Sequence, residues 1–306
     1  MGSESDRQMT FLLTGASGML GSAIGAALKR QGDDVISLVR RDPRERNEIH
    51  WDPAKAQLDS RCLEGVRGAV HLSGANVASR RWTTSFKQEM ASSRIDSTRF
   101  LSEALATLKN PPKVLVAASA TGFYGDRGDE ILDEDSAPGK GFFPELCALW
   151  EAATRPAEQA GIRVVHLRFG VVIGPDGGMM ARLAPLFRLG LGGRLGSGRQ
   201  WSSWVSEDDV VSAVLFALKN QSLTGPVNVV APNPVTNAEF TRALGQAVHR
   251  PTLMTAPAFA LRLAFGEMAD EALLASTRAV PRRLMQAGFV HTHPTLADAL
   301  AAALVK

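Results

Sequence analysis

Residues 10–21 read TFLLTGASGMLG and place three glycines at intervals of three directly after an apolar run. The apolar run predicts a strand over residues 9–13, and the residues that follow predict a helix over residues 20–31. In such a turn Gly15 permits a tight bend, Gly18 lets the backbone approach a pyrophosphate, and Gly21 lets helix and strand pack closely. The stretch therefore predicts a dinucleotide-binding turn, with free amides at the helix start for the phosphates. A turn that needs its glycines for geometry alone is the alternative.

The rest of the first half alternates short apolar runs with amphipathic ones. This pattern is typical of a parallel sheet covered by helices on both faces. It predicts an α/β protein with a Rossmann-like, doubly wound parallel sheet. The predicted strands span residues 34–39, 48–51, 68–72, 113–118 and 163–169, and the predicted helices span residues 84–109 and 142–160.

The second half breaks this rhythm. A short helix over residues 179–189 precedes a glycine-rich connector, and helices follow over residues 206–219, capped by Ser206, and 237–248, capped by Asn237. A strand is predicted over residues 226–230. We therefore predict a dinucleotide-binding domain over residues 9–170, to which residues 204–230 return. Residues 171–203 and 231–306 form a smaller C-terminal substrate lobe.

Composition excludes several classes of function. The 34 basic and 31 acidic residues give a net charge of +3, too small and scattered for a nucleic-acid surface. No stretch approaches the roughly 20 apolar residues of a membrane span, and residues 1–8 predict a polar tail without a signal peptide. The two cysteines form no CxxC pair and the histidines show no metal-ligand spacing, so we predict no metal site. A reduced, cytoplasmic protein fits this composition.

The cofactor is predicted where the second strand ends. NAD-binding sites usually place an acidic residue there, about 20 residues beyond the glycine loop, to bind the ribose hydroxyls. Here Val39 is followed by Arg40 and Arg41, and guanidinium groups suit the 2′-phosphate of NADP. The residues predict NADP over NAD, and a solvated loop is the alternative.

The motifs TGASGMLG, HLSGAN and AASATGFYG together resemble the extended short-chain dehydrogenase/reductases, the epimerase/dehydratase superfamily. Segments such as RRWTTSFKQEMASSRIDST and RFGVVIGPDGGMM resemble its atypical, epimerase-like branch, which carries a C-terminal domain of unknown function. The resemblance implies an NADP-dependent oxidoreductase with an unidentified small-molecule substrate, and a homodimer is plausible. It implies cofactor contacts from Thr14, Gly15, Ala16, Ser17, Gly18, Met19, Leu20, Val39, Arg40, Arg41, Leu72, Ser73, Gly74, Glu89, Arg94 and Val172. For Arg94, an intrahelical or solvent role is an equal alternative.

The chain lacks the Tyr-x-x-x-Lys pair that such reductases use to move a proton. Tyr124 is the single tyrosine, and Gly128 stands four residues later. If the helical register is kept, Cys147 and Glu151 occupy the tyrosine and lysine positions. Cys147 is interpreted as a small buried group, whereas Glu151 either acts as an acid or base or makes a helix contact.

Three residues remain as catalytic candidates. Ser119 matches the hydroxyl that polarises a carbonyl, and Tyr124 and Glu151 are candidate proton donors. Packing beside the site is the alternative for Tyr124. Two functions stay open at this point: an NADP(H)-dependent oxidoreductase, or a non-catalytic NADPH-binding sensor or regulatory protein.

Overall fold

The fold is given by a computed structural model that describes residues 8–175 and 177–304. The predicted N-terminal tail, apart from Gln8, lies outside the described residues, as does Asp176 in the loop after the sixth predicted strand. Among the described residues, no helix is long and apolar enough to cross a membrane.

A mostly parallel sheet of eight strands forms the centre of the molecule. The strand order is β13-β8-β6-β5-β1-β2-β3-β4, and β4 alone runs antiparallel to its neighbour. This is the predicted Rossmann-like α/β fold, with the strand order reversing between β1 and β5. The strands of the whole chain are β1 (Thr10–Thr14), β2 (Asp34–Val39), β3 (Glu48–Asp52), β4 (Gln57–Leu58), β5 (Gly68–His71), β6 (Val114–Ala120), β7 (Ile131–Leu132), β8 (Arg163–Phe169), β9 (Val171–Ile173), β10 (Gly193–Leu195), β11 (Trp201–Ser202), β12 (Trp204–Ser206), β13 (Gly225–Val229), β14 (Val235–Thr236), β15 (Met254–Ala256) and β16 (Arg278–Ala279).

Helices cover both faces of the sheet. One apolar cluster joins α1 and α7 to the sheet through residues such as Ile24 and Val214, and a second joins α3 and α5 through residues such as Leu101 and Ala157. The helices are α1 (Met19–Arg30), α2 (Thr84–Ala91), α3 (Ser97–Ala106), α4 (Phe142–Ala152), α5 (Arg155–Gln159), α6 (Met180–Arg188), α7 (Glu207–Lys219), α8 (Asn237–Ala247), α9 (Ala258–Phe265), α10 (Arg282–Gln286) and α11 (Leu296–Leu304).

Three helix predictions need correction. The helix predicted over residues 84–109 is interrupted by a π-helical segment, Ser92–Asp96, and ends at Ala106. The helix predicted over residues 142–160 is two helices, and Pro156 lies in the first turn of the second.

The third correction concerns the start of α8. Asn237 is not its cap: Thr236 is, in a capping box with Glu239, whereas the Asn237 side chain accepts a hydrogen bond from the Leu195 amide. The predicted Ser206 cap of α7 is confirmed, since its hydroxyl accepts the Asp209 amide.

The chain leaves the large sheet after β8 and returns to it. Small two-stranded sheets pair β9 with β12, β10 with β15, β11 with β14, and β7 with β16. Helix α7 then packs on α1, and β13 pairs in parallel with β8, from Gly225 opposite Val165 to Val229 opposite Phe169. The outermost strand of the large sheet therefore comes from the second half of the chain. The predicted division into two lobes stays a prediction.

Candidate functional site

The glycine loop after β1 is folded so tightly that Gly15 and Gly21 cannot be replaced freely. Gly15 has a φ of +70°, and the Gly18 amide donates a hydrogen bond of 3.0 Å to its carbonyl. A Cβ atom on Gly21 would lie 2.1 Å from the Gly15 carbonyl oxygen, whereas one on Gly18 would meet that oxygen at 3.4 Å. Gly21 is thus required for packing, while a side chain on Gly18 is tolerated by the fold.

The loop leaves the start of α1 open. Gly18 precedes the helix in an extended conformation, and no side chain caps the first amides. Ser17 and Gly18 are exposed, and Ala16, Met19 and Leu20 are half-buried. Free backbone amides at a helix start bind anions, and the positive end of the helix dipole adds to that attraction. The loop therefore fits the pyrophosphate of a dinucleotide.

Thr14 supports this loop from beneath and does not face it. Its buried hydroxyl accepts the Leu72 amide and lies 2.8 Å from Nδ1 of His71. Nε2 of His71 lies 3.0 Å from the Thr98 hydroxyl, to which the Trp150 indole also donates. Complete burial lowers the pKa of His71 to about 4, so the ring is neutral near pH 7. This chain of hydrogen bonds joins β1 to α4.

The two arginines after β2 have different surroundings. Arg41 forms a two-pronged ion pair with Glu48, which also accepts the Arg44 amide. The Arg41 guanidinium and that amide hold the pKa of Glu48 at about 2. Arg40 is exposed and has no ion-pair partner within residues 8–175 and 177–304, while Val39 is half-buried. The structure thus leaves Arg40 the freer of the two.

The remaining predicted cofactor residues come from the loop after β5, from α2 and the segment that follows it, and from β9. Leu72 and Ser73 are half-buried and Gly74 is exposed after β5, and Val172 is half-buried in β9. Glu89 of α2 is exposed and paired with Arg80.

Arg94 lies in the π-helical segment and is buried. Its exposed fraction of 8% excludes the solvent role considered from the sequence.

Ser119 and Glu151 meet at the carboxyl end of β6. The Ser119 hydroxyl donates a hydrogen bond of 2.7 Å to Oε1 of Glu151, which α4 brings to the sheet edge. Arg168 of β8 lies opposite Ser119 in the strand register. Its Nε and Nη2 donate to the two oxygens of Glu151, both at 2.8 Å. Glu151 is therefore a carboxylate with its own buried cation at the carboxyl end of β6.

Tyr124 lies behind Arg168 and is fully buried. Its hydroxyl accepts from Nη1 of Arg168 at 3.0 Å, and two acceptors lie within reach of its proton: Oδ1 of Asn228 at 2.7 Å and the Asp133 carbonyl at 2.9 Å. Burial raises the pKa of Tyr124 to about 12. Since its single proton already has these buried acceptors, the surroundings favour the packing role over proton donation.

The buried interpretation of Cys147 is confirmed. The side chain is 0% exposed, and burial raises the pKa of its thiol to about 12. The thiolate, which is the reactive form, is therefore strongly disfavoured.

Sequence reasoning missed the ion pair of Arg168 with Glu151 and the part played by Asn228. The Arg168 guanidinium is occupied by Glu151, and its Cζ lies 3.5 Å from the Phe123 ring centroid. The available signal was the arginine at the end of an apolar strand, because a buried arginine requires a partner.

Comparisons with known proteins agree with this geometry. The sequence model of the NAD dependent epimerase/dehydratase family matches residues 11–230, and that of a domain of unknown function, DUF1731, matches residues 256–303. The epimerase family protein Mb2239 of Mycobacterium bovis is 49% identical over 288 residues, which are 94% of this chain and 95% of that protein.

Two solved structures are similar over nearly the whole chain. The crystal structure of human epimerase family protein SDR39U1 (isoform 2) with NADPH has a TM-score of 0.88 and 33% identity, covering 96% of this chain and 99% of that one. A nucleoside-diphosphate sugar epimerase from Corynebacterium glutamicum has a TM-score of 0.81 and 36% identity, covering 97% of this chain and 58% of that one. The chain thus belongs to the NAD dependent epimerase/dehydratase family and carries the C-terminal DUF1731 domain.

Proposed function

We propose that this protein binds NADPH and is an NADP(H)-dependent oxidoreductase acting on a small molecule. The observation that carries the proposal is the N-terminus of α1, where no side chain of the described residues caps the backbone amides that follow Gly18. The close contact of Gly21 with Gly15 holds the preceding loop in its conformation. The exposed guanidinium of Arg40 adds a partner for a 2′-phosphate. The human relative whose structure contains NADPH supports the same choice of cofactor.

Ser119 and Glu151 are the residues proposed to move the proton. The bound dinucleotide would accept a hydride from the substrate as NADP⁺ in alcohol oxidation, and would supply one as NADPH in carbonyl reduction. In alcohol oxidation, Oγ of Ser119 accepts the substrate hydroxyl proton while its own proton passes to Oε1 of Glu151, 2.7 Å away. In carbonyl reduction, both protons travel in the opposite direction. Arg168 holds Glu151 in place for this exchange through two hydrogen bonds.

A second candidate is an NADPH sensor or regulatory protein without turnover. It is favoured by one observation: the Ser119 hydroxyl and the Glu151 carboxylate are already satisfied by each other and by Arg168. Following NADPH oxidation across a panel of aldehydes and ketones separates the two candidates. Turnover of any compound that falls in Ser119→Ala and Glu151→Gln supports the enzyme, and silence together with tight NADPH binding supports the sensor.

The binding proposal is tested by thermal shift with NADPH on the wild type and on Gly18→Ala. The added methyl group would meet Gly15 only at ordinary contact distance, so the melting temperature without ligand should stay unchanged. The same methyl group lies where the pyrophosphate must approach, so the NADPH-induced shift should be lost. When the NADPH concentration is 100 times the dissociation constant, binding should stabilise the folded wild type by about 2.7 kcal/mol.

An unaltered NADPH shift in Gly18→Ala would show that the dinucleotide binds elsewhere. Homodimer formation and a cytoplasmic location stay predictions.

A further inference from the structure

Two segments in the second half of the chain carry basic residues and no acidic ones. Residues 177–206 and 240–266 hold seven arginines between them, with neither an aspartate nor a glutamate. Removing these seven from the 34 basic residues leaves 27 against 31 acidic ones, a net charge of −4 for the rest of the chain. The small charge of the whole protein therefore conceals a strong local imbalance. The arginines are Arg182, Arg188, Arg194, Arg199, Arg242, Arg250 and Arg262.

The fold brings the two segments together. Strand β10 of the first segment pairs in parallel with β15 of the second, and α8 packs on both β10 and α6. Nε of Arg194 donates a hydrogen bond of 3.1 Å to the Thr255 hydroxyl. Nε of Arg250 donates one of 3.0 Å to the Arg188 carbonyl at the end of α6. The loops that carry these arginines are thus neighbours in space.

The charge of these arginines is not neutralised by the protein. Arg188, Arg194 and Arg250 are exposed, and none forms an ion pair with a carboxylate of residues 8–175 or 177–304. Arg262 differs, since it pairs with Asp270 at the border of the surface. Uncompensated guanidinium groups on one surface create a positive potential that attracts an anionic partner.

Large apolar side chains protrude from the same surface. Eight of the twelve that are exposed among the described residues lie in these two segments, which make up less than a fifth of the chain. Leu253 is 88% exposed, and Phe259 and Leu263, one turn apart on α9, are 72% and 76% exposed. Exposed apolar side chains in such a concentration mark an interaction site. The eight are Leu186, Leu189, Leu191, Leu253, Met254, Phe259, Leu263 and Phe265.

We call the surface formed by the exposed residues of 186–194 and 250–263 the basic apolar face. Its composition indicates what covers it. A second copy of this chain would set arginines against arginines across a twofold axis, which like-charge repulsion opposes. A nucleic acid offers the negative charge but no apolar layer for the leucines. An anionic bilayer offers both, because its phosphates bind guanidinium groups and its acyl boundary takes up apolar side chains.

We propose that the basic apolar face docks this protein on the surface of an anionic lipid membrane. The leucines and Phe259 enter the boundary between headgroups and acyl chains, and the arginines bind the lipid phosphates. Docking in the plane of the interface requires no membrane-spanning helix. Because these residues lie outside the proposed NADPH site, the proposal goes beyond nucleotide binding and does not depend on it.

Flotation of the full chain with lipid vesicles tests this proposal. Vesicles of phosphatidylcholine alone are compared with vesicles of phosphatidylcholine and phosphatidylglycerol in equal parts. Both are used at about 0.1 M and about 1 M sodium chloride, because salt screens charges over about 10 Å and about 3 Å respectively. Melting temperature and NADPH shift are measured for every variant as a check that the fold is intact.

A charge variant combines Arg188→Gln, Arg194→Gln and Arg250→Gln. A matched control removes the same charge at exposed positions on other surfaces of the molecule. The control substitutions are Arg30→Gln, Arg67→Gln and Arg99→Gln.

An apolar variant combines Leu253→Gln with Phe259→Gln, whose side chains are too exposed to support the fold. Its control combines Leu149→Gln with Val290→Gln, which are also exposed but lie outside the two segments. This second pair keeps the test decisive if the charge variant is unstable.

The wild type should float with the anionic vesicles at low salt, remain unbound to phosphatidylcholine, and be largely released at high salt. Partitioning should fall roughly 100-fold in the charge variant, since each arginine near an anionic surface contributes about fivefold. The apolar variant should lose at least about 10-fold, because two side chains no longer leave water. Both controls should stay within a few-fold of the wild type.

Other results overturn the proposal. Failure of the wild type to float, or equal binding to both kinds of vesicle, removes the anionic membrane as the partner. Equal losses in a variant and its control show that the basic apolar face is not the contact. Wild-type binding by the apolar variant, with loss in the charge variant alone, indicates an acidic protein instead. A wild-type dimer in sedimentation that dissociates in the apolar variant assigns the face to a second copy.

Discussion

The glycine loop and the α4 edge of the sheet lie at the same end of the molecule but treat the family pattern differently. At the loop, Gly15, Gly18 and Gly21 keep the expected spacing, and the backbone alone forms the site. At the α4 edge, Cys147 and Glu151 stand four residues apart with neither a tyrosine nor a lysine between them, and side chains from three strands, helix α4 and the turn that carries Tyr124 form the network.

The two regions also differ in where their stability comes from. The loop depends on close backbone contact and the absence of Cβ atoms. The α4 edge depends on a buried ion pair, Arg168 with Glu151, in which each charge requires the other.

Glu151→Ala should destabilise the protein by about 3–5 kcal/mol, because it leaves the buried Arg168 without its carboxylate. Chemical denaturation measures the effect. As a control, the double variant Glu151→Leu with Arg168→Met removes both charges and should recover most of the stability while losing any turnover. A single variant as stable as the wild type would mean that the pair is not coupled as the structure indicates.

Acid should lower the free energy of unfolding through His71, whose ring lies in the chain of hydrogen bonds that joins β1 to α4. The folded-state pKa of about 4 lies below the ordinary value of 6.5, so the unfolded chain binds more protons between these values. The contribution of the neutral ring is complete above about pH 6.5 and is lost as the pH falls to about 4, amounting to about 3 kcal/mol.

The test of the His71 prediction is the free energy of unfolding measured across this pH range. His71→Gln should flatten the dependence, while the exposed His50→Gln should leave it unchanged. Burial also lowers the pKa of His166. This residue is present in both variants and adds to the pH dependence of stability in the same direction. An equally steep dependence in His71→Gln would assign the acid sensitivity to other groups.

Arg40→Ala should weaken NADPH binding roughly 10-fold or more and leave NADH binding unchanged, because one charge-assisted contact to the 2′-phosphate disappears. Arg41→Ala should have the smaller effect, since the Arg41 guanidinium is occupied by Glu48. Titration calorimetry with both nucleotides measures the preference. If Arg41→Ala proves the more damaging change, Arg41 exchanges Glu48 for the cofactor on binding.

Tyr124→Phe should cost about 1–2 kcal/mol, because Arg168, Asn228 and the Asp133 carbonyl lose the hydroxyl that they contact. Turnover of a substrate found by screening should fall far less than in Ser119→Ala. A loss of turnover as complete as in Ser119→Ala, at unchanged stability, would instead make Tyr124 the proton donor.

Local patterns in the sequence were sufficient for the sheet, the glycine loop and the choice of Ser119 and Glu151 as candidate site residues. These depend on spacing within one strand, one turn or one helix. The Arg168 partner of Glu151 was not predictable in this way, because it depends on the parallel register that sets Ser119 opposite Arg168. The burial of Arg94 was not predictable from the sequence for a related reason. Arg94 lies in a π-helical turn, which changes the side of the helix on which a side chain lies and has no clear sequence signature.

Two of the errors had signals that were present in the sequence. Thr236 followed by Glu239 has the spacing of a capping box, which identifies Thr236 as the start of α8 in place of Asn237. Pro156 inside the helix predicted over residues 142–160 marks a new helix start.

Because β13 joins the large sheet as the outer neighbour of β8, a chain that stops between residues 170 and 224 has an incomplete sheet. A truncated product of this kind exposes the unpaired amides and carbonyls of β8, and such bare strands recruit other chains into aggregates. The glycine-loop half is therefore unsuitable as a minimal nucleotide-binding fragment for fusion or split-reporter designs unless residues 207–229 are carried with it.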